Sequence, residues 1–163
     1  MDNINREIYF VQNPSIGAAI LWRFVCGYYS KEQKPVPFPL LFLVLPIIFR
    51  QDLCDVIKGT QKRSGLSKVS EKLFSNRKND QLYYVHNAAE QQKQISLSSI
   101  NIGISAKLFV IDMKSAFVFP LAQSNKTGLS ESTKILLNAS EKLGLWCAEL
   151  TLHEISTLLK VRF

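Results

Sequence analysis

The chain has 163 residues, of which 47% are hydrophobic and 10% aromatic. This composition is typical of a folded globular protein and excludes an intrinsically disordered one, and the length predicts a single domain over residues 1–163. The 20 lysines and arginines outnumber the 13 acidic residues, which gives a formal net charge of +7. Such a basic excess favours an acidic partner (nucleic acid, an anionic membrane or an acidic protein) without choosing among the three.

The first predicted element is a helix over residues 14–29, in the segment NPSIGAAILWRFVCGYYSKE. Pro14 suits its first turn because the φ angle of proline is preset for a helix, and the missing N–H is one that a helix start leaves unpaired. The polar residues 30–34 end this helix. The preceding segment MDNINREIYF lacks the apolar run of a secretory signal, so the prediction is a cytoplasmic protein.

The most apolar run, VPFPLLFLVLPIIF, covers residues 36–49 and contains three prolines. A transmembrane helix needs about 20 apolar residues, so no membrane segment is predicted. We expect a short buried strand over Leu40–Leu45, with Pro46 starting a turn into a helix over residues 52–58. A second helix in place of the strand is the alternative, because periodicity does not separate short buried strands from short buried helices.

Residues 58–78 form a basic stretch, KGTQKRSGLSKVSEKLFSNRK, with a short amphipathic helix predicted over residues 67–75. Lysines and arginines on loops around such a helix are suited to phosphate contacts, which give salt-sensitive and sequence-independent binding to DNA. A solvated basic loop and a surface that docks onto an acidic protein are the alternatives, because few aromatic residues are available there for base stacking. The candidate DNA-binding residues are Lys58, Lys62, Arg63, Lys68, Lys72, Arg77 and Lys78.

Further elements follow along the chain. The sequence predicts one or two helices over residues 80–105. It also predicts a β-hairpin, from two apolar runs over residues 108–111 and 116–119 that flank DMKS. Two helices then close the chain, the second opened by a capping box in which Thr151 and Glu154 satisfy each other's backbone N–H groups.

The order helix, strand, helix, helix and β-hairpin is that of a winged helix, in which the first strand joins the hairpin in a small sheet. We therefore predict a mostly helical α+β fold, with an expanded winged-helix core over residues 14–121 and a C-terminal helical extension over residues 130–163. This prediction rests on analogy between folds.

The three cysteines, Cys26, Cys54 and Cys147, are far apart and form no CxxC pair. A zinc site or a disulfide framework has clustered spacings, so free thiols in a reducing compartment and no bound metal are predicted.

Two local motifs resemble catalytic sites without completing them. His153 and Glu154 begin a zincin-like HE pair, but Thr157 stands where the second histidine ligand belongs. Asp112 and Lys114 follow an apolar strand as the acid and lysine of metal-dependent nucleases do, but FVFPL supplies no second acid for the metal. No glycine-rich phosphate loop is present in the sequence either, so we predict that the chain is not an enzyme and takes no cofactor.

Segments along nearly the whole chain resemble one known family. Five stretches, in their order along the chain, are similar to the middle component of three-component ABC-ATPase (ABC-3C) conflict systems. This group includes the Lamassu-type bacterial defence systems. The stretches are REIYFVQNPSIGAAILWRFVCGY, PFPLLFLVLPIIF, SGLSKVSEKL, NASEKLGLWCAELTLHEI and LKVRF. The resemblance implies an adaptor that sits on an ABC ATPase related to SMC and Rad50 proteins. It would link the sensing of phage or plasmid DNA to an effector protein, often a nuclease.

Two other functions stay open at this point. One is a stand-alone winged-helix DNA-binding regulator, which the mixed apolar and acidic helix around residues 83–90 disfavours. The other is a small metal-dependent nuclease built on Asp112 and Lys114.

The terminal segment LKVRF is the second candidate site. An apolar, β-favouring tail must be buried, either as a strand added beside the hairpin or against a partner. If it meets a partner, Arg162 and Phe163 would anchor the ATPase or the effector, since arginine and aromatic residues suit interface cores. The candidate partner-interface residues are Lys160, Val161, Arg162 and Phe163.

Overall fold

A computed structural model of the chain describes residues 13–75, 80–122 and 129–163. The fold is α+β and mostly helical, as predicted, with eight α-helices and a three-stranded antiparallel sheet in these residues. The helices are α1 (Pro14–Glu32), α2 (Leu41–Ile48), α3 (Gln51–Gly59), α4 (Gly65–Phe74), α5 (Asp80–Gln91), α6 (Lys93–Ser105), α7 (Glu131–Ala148) and α8 (Leu152–Leu159). The strands are β1 (Val36–Pro37), β2 (Phe109–Asp112) and β3 (Phe117–Pro120).

Helix α1 confirms the first prediction and is longer than expected. The side chain of Asn13 caps its start, accepting hydrogen bonds from the N–H groups of Ser15 at 3.1 Å and Ile16 at 3.3 Å. Pro14 follows in the first turn, where its missing N–H costs nothing. Gln33 caps the end of the helix, and its left-handed backbone (φ 54°) lets its N–H donate to the carbonyl of Tyr29.

The predicted strand over Leu40–Leu45 is wrong, and the helical alternative is right. Only Val36–Pro37 is extended; a 3₁₀ turn over Phe38–Leu40 then leads into α2. Pro46 lies inside α2 and does not start a turn. Seven of the eight residues of α2 are buried, so packing on all sides compensates for the one backbone hydrogen bond that the proline removes.

The β-hairpin predicted over residues 108–119 is confirmed, with each strand shifted by one residue. The strand order is β1-β3-β2, and Val36 pairs with Val118, which is fully buried at the centre of the sheet. The element order is the one that suggested a winged helix. The winged-helix assignment itself, and the division into residues 14–121 and 130–163, stay predictions.

The other helices agree with the sequence patterns. Helices α3 and α4 lie where residues 52–58 and 67–75 predicted them, and residues 80–105 form two helices, α5 and α6. The capping box at the start of α8 is confirmed, since the Thr151 hydroxyl accepts from the Glu154 N–H while the Glu154 carboxylate accepts from the Thr151 N–H. No helix in the described part of the chain is long and apolar enough to cross a membrane.

Helix α7 lies directly against α1, backbone to backbone. A Cβ atom added at Gly27 would lie 2.2 Å from the carbonyl oxygen of Glu141, and one added at Gly144 would lie 2.3 Å from the carbonyl oxygen of Phe24. The buried Ser140 hydroxyl donates to the carbonyl of Ile20 at 2.7 Å. This close contact sets the position of α7 against α1, and with it the position of the polar side chains that α7 carries.

None of the three cysteines forms a disulfide. Burial raises the pKa of the Cys147 thiol to about 12 and that of the half-buried Cys26 to about 11. Both thiols are therefore protonated near neutral pH, and a protonated thiol is a poor nucleophile and metal ligand.

Candidate functional site

The basic surface consists of Lys58, Lys62, Arg63, Lys68 and Lys72, on α3, α4 and the loop between them. All five side chains are exposed to solvent. The remaining two candidates, Arg77 and Lys78, lie outside the described residues. Five of the seven predicted DNA-binding residues are therefore exposed on neighbouring elements of the chain.

The loop that carries this surface is held by Lys142 of α7. Its ammonium group donates to the carbonyl oxygens of Ile57 at 3.0 Å, Lys58 at 3.1 Å and Thr60 at 2.9 Å. These carbonyls lie at the C-terminus of α3, where a helix leaves acceptors unpaired and its dipole attracts a cation. Lys142 therefore fixes the point at which the basic loop leaves α3.

Trp146, one turn further along α7, holds the same loop at its far end. Its indole N–H donates to the carbonyl oxygen of Lys62 at 2.6 Å, and its ring is buried. The Lys142 ammonium group lies 5.8 Å from the centroid of that ring, within the range of a cation–π interaction. The backbone of the basic surface is thus tied to the core by two neighbouring side chains of α7.

Three ammonium groups converge on this loop, and no described acidic residue neutralises them. Burial lowers the pKa of Lys142 most, and the positive charges of Lys62 and Lys72 lower it further. Lys72 donates to the hydroxyl of Thr60 at 3.0 Å. Within residues 13–75, 80–122 and 129–163, none of these three lysines has an ion pair with an acidic residue. A phosphate bound among them would relieve their mutual repulsion.

Of the remaining basic residues, two lie near a carboxylate and the third is hydrogen-bonded to a neutral amide. Lys58 lies 3.7 Å from the carboxylate of Asp55, and Lys68 lies 2.8 Å from that of Glu71. Arg63 donates to the side-chain oxygen of Gln61 at 2.9 Å. Exposed pairs of this kind contribute little to stability, so these side chains can leave them for a phosphate at small cost.

Sequence reasoning missed Lys142 and Trp146. They lie 82 to 85 residues from the carbonyls that they bind, so no local spacing connects the two segments. The one available signal was their spacing of four on a helix, which places both on one face.

The nuclease-like pair has a structural role in the hairpin. The Asp112 carboxylate accepts from the Lys114 N–H at 3.0 Å and from the Ser115 hydroxyl at 2.5 Å, closing the turn between β2 and β3. The hydrogen bond from Ser115, followed by that from Lys114, lowers the pKa of Asp112. No group of three or more His, Cys, Asp or Glu side chains that could hold a metal ion occurs among the described residues.

The tail begins with a buried residue and ends with exposed ones. Lys160 adopts a left-handed conformation (φ 50°), and Val161, 2% exposed, follows it into the core. The Val161 carbonyl accepts from the Ser156 hydroxyl at 2.6 Å, and no strand forms there. The expectation of a strand added beside the hairpin is therefore wrong, because α8 ends with a left-handed turn that directs Val161 inward.

Arg162 and Phe163 border a cleft of about 220 Å³. Phe163 is 51% exposed, so its ring is only partly covered by the rest of the chain. The cleft is otherwise lined by α2, α5 and the start of α6, including Phe42, His86 and Glu90. The structure thus separates the four predicted interface residues into a buried Val161 and an exposed remainder.

Comparison with known families places the chain. The family model described as ABC-three component (ABC-3C) system Middle Component 3 matches residues 1–163. The chain belongs to this family. The resemblance drawn from the sequence is confirmed for the ABC-3C middle component, while the Lamassu type is a finer detail that the family description does not include. No significant match was found among curated proteins or among solved structures.

Membership of the ABC-3C middle component family directs attention to the exposed surfaces of this chain. A component of a multi-component system needs surfaces that meet other molecules. In the described part of the chain, the basic surface and the cleft beside Phe163 are formed by different elements and have different chemistry.

Proposed function

We propose that this middle component is a non-catalytic adaptor in an anti-phage or anti-plasmid defence complex of the Lamassu type. In that complex it joins an ABC ATPase related to SMC and Rad50 proteins to an effector, which is often a nuclease. Its membership of the ABC-3C middle components supports this role. The exposed basic surface supports a contact with DNA within the complex, and the exposed end of the tail supports a contact with a partner protein.

One observation carries the DNA contact: three lysine ammonium groups face a rigid loop and have no acidic partner among the described residues. Lys142 and Trp146 hold the loop that carries Lys62, and Lys72 lies on helix α4, so both exposed side chains project from backbone that is already ordered before binding. Preorganisation of this kind lowers the entropic cost of association. The contact is with phosphates and is therefore independent of sequence.

The non-catalytic part of the proposal predicts that the purified chain neither cleaves DNA nor hydrolyses ATP. Asp112 closes a turn with Ser115, and turn formation is an ordinary use of aspartate. The test is a cleavage assay on plasmid DNA with added Mg²⁺ or Mn²⁺, together with an assay of phosphate release from ATP. Metal-dependent cleavage that Asp112→Ala abolishes would show that the chain is an enzyme.

We expect different residues of the tail to contribute to partner binding and to stability. We expect the double substitution Arg162→Glu and Phe163→Glu to abolish copurification with the ATPase or the effector and to leave the melting temperature unchanged, because both side chains are exposed. The matched control is Val161→Ala, which truncates a side chain that is 2% exposed and should lower the melting temperature without affecting copurification.

The measurement is a pull-down from cells that express all three components, followed by thermal unfolding of the purified variants. If the double variant still copurifies fully, the tail is not a partner interface. If it instead melts as early as the Val161 variant, the whole tail belongs to the core.

A further inference from the structure

Two lysine ammonium groups bind the same residue, Thr60, at the end of α3. Lys72 donates to the Thr60 hydroxyl at 3.0 Å, and Lys142 donates to the Thr60 carbonyl at 2.9 Å. Thr60 is buried, and its own hydroxyl donates to the carbonyl of Val56 at 2.7 Å. The exposed Lys62 follows two positions further along the chain. Positive charge is therefore concentrated at one defined point of the fold.

Lys142 adds charge to this point and has no donor left for a ligand. An ammonium group has three N–H donors, and the three carbonyls at the end of α3 accept all of them. Its charge therefore stays in place when a ligand binds. Burial lowers the pKa of Lys142 most, and the charges of Lys62 and Lys72 lower it further, so both charges act on Lys142 at close range.

Lys62 and Lys72 supply the donors that a ligand can reach. Both side chains are exposed, and neither forms an ion pair with an acidic residue in the parts of the chain that the structure describes. Lys72 uses one of its three N–H groups on Thr60, which leaves two for a ligand. The point thus combines two accessible ammonium groups with a third, partly buried charge that cannot move away.

This concentration of charge suits a phosphate monoester better than a phosphodiester. A phosphodiester of the DNA backbone carries one negative charge, whereas a monoester carries about −1.5 to −2 at pH 7. Since the Coulomb energy is proportional to the product of the charges, the same three cations attract the monoester up to about twice as strongly. The nearby Lys58 and Lys68 add less, because they lie beside the carboxylates of Asp55 and Glu71.

We propose that Lys62 and Lys72, together with the fixed charge of Lys142, form a binding site for a phosphate monoester, at the 5′ end of a DNA strand or on a free nucleotide. The two exposed ammonium groups donate to the phosphate oxygens, and Lys142 contributes through its charge alone. This proposal deepens the proposed function and rests on its DNA contact, because it names the kind of phosphate that the basic surface prefers.

The first test compares two duplexes of one sequence, with 5′-phosphates and with 5′-hydroxyls, by fluorescence anisotropy with the full chain. We expect the phosphorylated duplex to bind about fivefold more tightly, because one added charge at about 4 Å is worth roughly 1 kcal/mol in water. Lys62→Gln combined with Lys72→Gln should remove this preference. The matched control, Lys58→Gln combined with Lys68→Gln, removes the same net charge and should keep the preference. All four side chains are exposed, and thermal unfolding checks that both variants fold.

The second test identifies the source of the phosphate. It compares AMP, a monoester, with 3′,5′-cyclic AMP, a diester, by NMR titration of the amide signals of residues 60–62. Preference for AMP as well as for the phosphorylated duplex supports a site open to free nucleotides. Preference for the phosphorylated duplex alone supports a site for DNA ends.

Other results overturn the proposal. Equal binding of the two duplexes, with equal binding of the two nucleotides, would do so and would leave the general DNA contact in place. A preference that survives in the Lys62 and Lys72 variant would also overturn it, as would one that the control variant loses to the same extent. Absence of binding to either duplex would contradict the DNA contact itself together with this inference.

Discussion

Gly144→Ala should destabilise the protein by about 3 kcal/mol or more, which corresponds to a loss of roughly 10 °C in melting temperature for a chain of this size. The new Cβ would lie 2.3 Å from the carbonyl oxygen of Phe24 and 2.8 Å from the backbone nitrogen of Tyr28. Both are backbone atoms of α1 and have no rotamer that moves them away. Helices α1 and α7 must therefore separate, and the packing between them is lost.

Two further variants make this prediction specific. Gly59→Ala is the control, because nothing lies within 4 Å of its added Cβ, and we expect a gain of a few tenths to about 1 kcal/mol. Gly27→Ala meets the carbonyl oxygen of Glu141 at 2.2 Å and should cost as much as Gly144→Ala. The double variant should cost less than the sum, since the helices need to separate only once. Chemical and thermal unfolding of the four proteins would check this, and a Gly144 variant as stable as the Gly59 variant would contradict the close packing.

Reversing Lys62, Arg63 and Lys68 to glutamate should weaken binding to duplex DNA by about 100-fold at low salt and flatten its salt dependence. Each phosphate contact contributes about 0.9 to the slope of log K against log salt, so three lost contacts should reduce the slope by about 2.7. The loss of affinity follows from about 1 kcal/mol per reversed surface charge. The measurement is fluorescence anisotropy with a labelled duplex, for the chain alone and for the assembled complex, where the effect should be larger.

The fold should survive these substitutions, because all three side chains are exposed and Trp146 binds Lys62 through its backbone carbonyl.

The matched control reverses Lys31, Lys34 and Lys134, which changes the net charge equally on other elements of the fold. These three lysines form ion pairs with Glu149, Glu32 and Glu131. If the control variant loses as much affinity, the effect is one of net charge. An unchanged slope in the first variant would make the basic surface a protein interface or a solvated loop.

Local signals predicted most of the fold because they act over a few residues. Pro14 at a first turn, the pairing of Thr151 with Glu154, and the apolar runs around DMKS each specify one element without reference to the rest of the chain. The prediction failed at Leu40–Leu45, where the run is apolar throughout and has no period. What decides between strand and helix there is burial on all sides by other helices, which is a property of the tertiary structure.

The candidate functional surfaces were also predictable from the sequence only in part. The exposed cations were visible as a composition change over residues 58–78, but the residues that hold them, Lys142 and Trp146, belong to a helix more than 80 positions away. The tail was expected to be buried either against the chain itself or against a partner, and of residues 160–163 Val161 alone is in the core. The left-handed conformation of Lys160 turns Val161 into the core. The sequence does not indicate this conformation, because glycine or asparagine usually adopts it at a helix end.

We propose that this chain joins the ATPase and the effector of its system. The most direct measurement is copurification of a tagged ATPase with the effector from cells that express all three components, compared with cells that lack only the middle component. We predict that the effector copurifies with the ATPase when the middle component is present and is lost when it is absent. Retention of the effector in equal amount without the middle component would contradict the adaptor role.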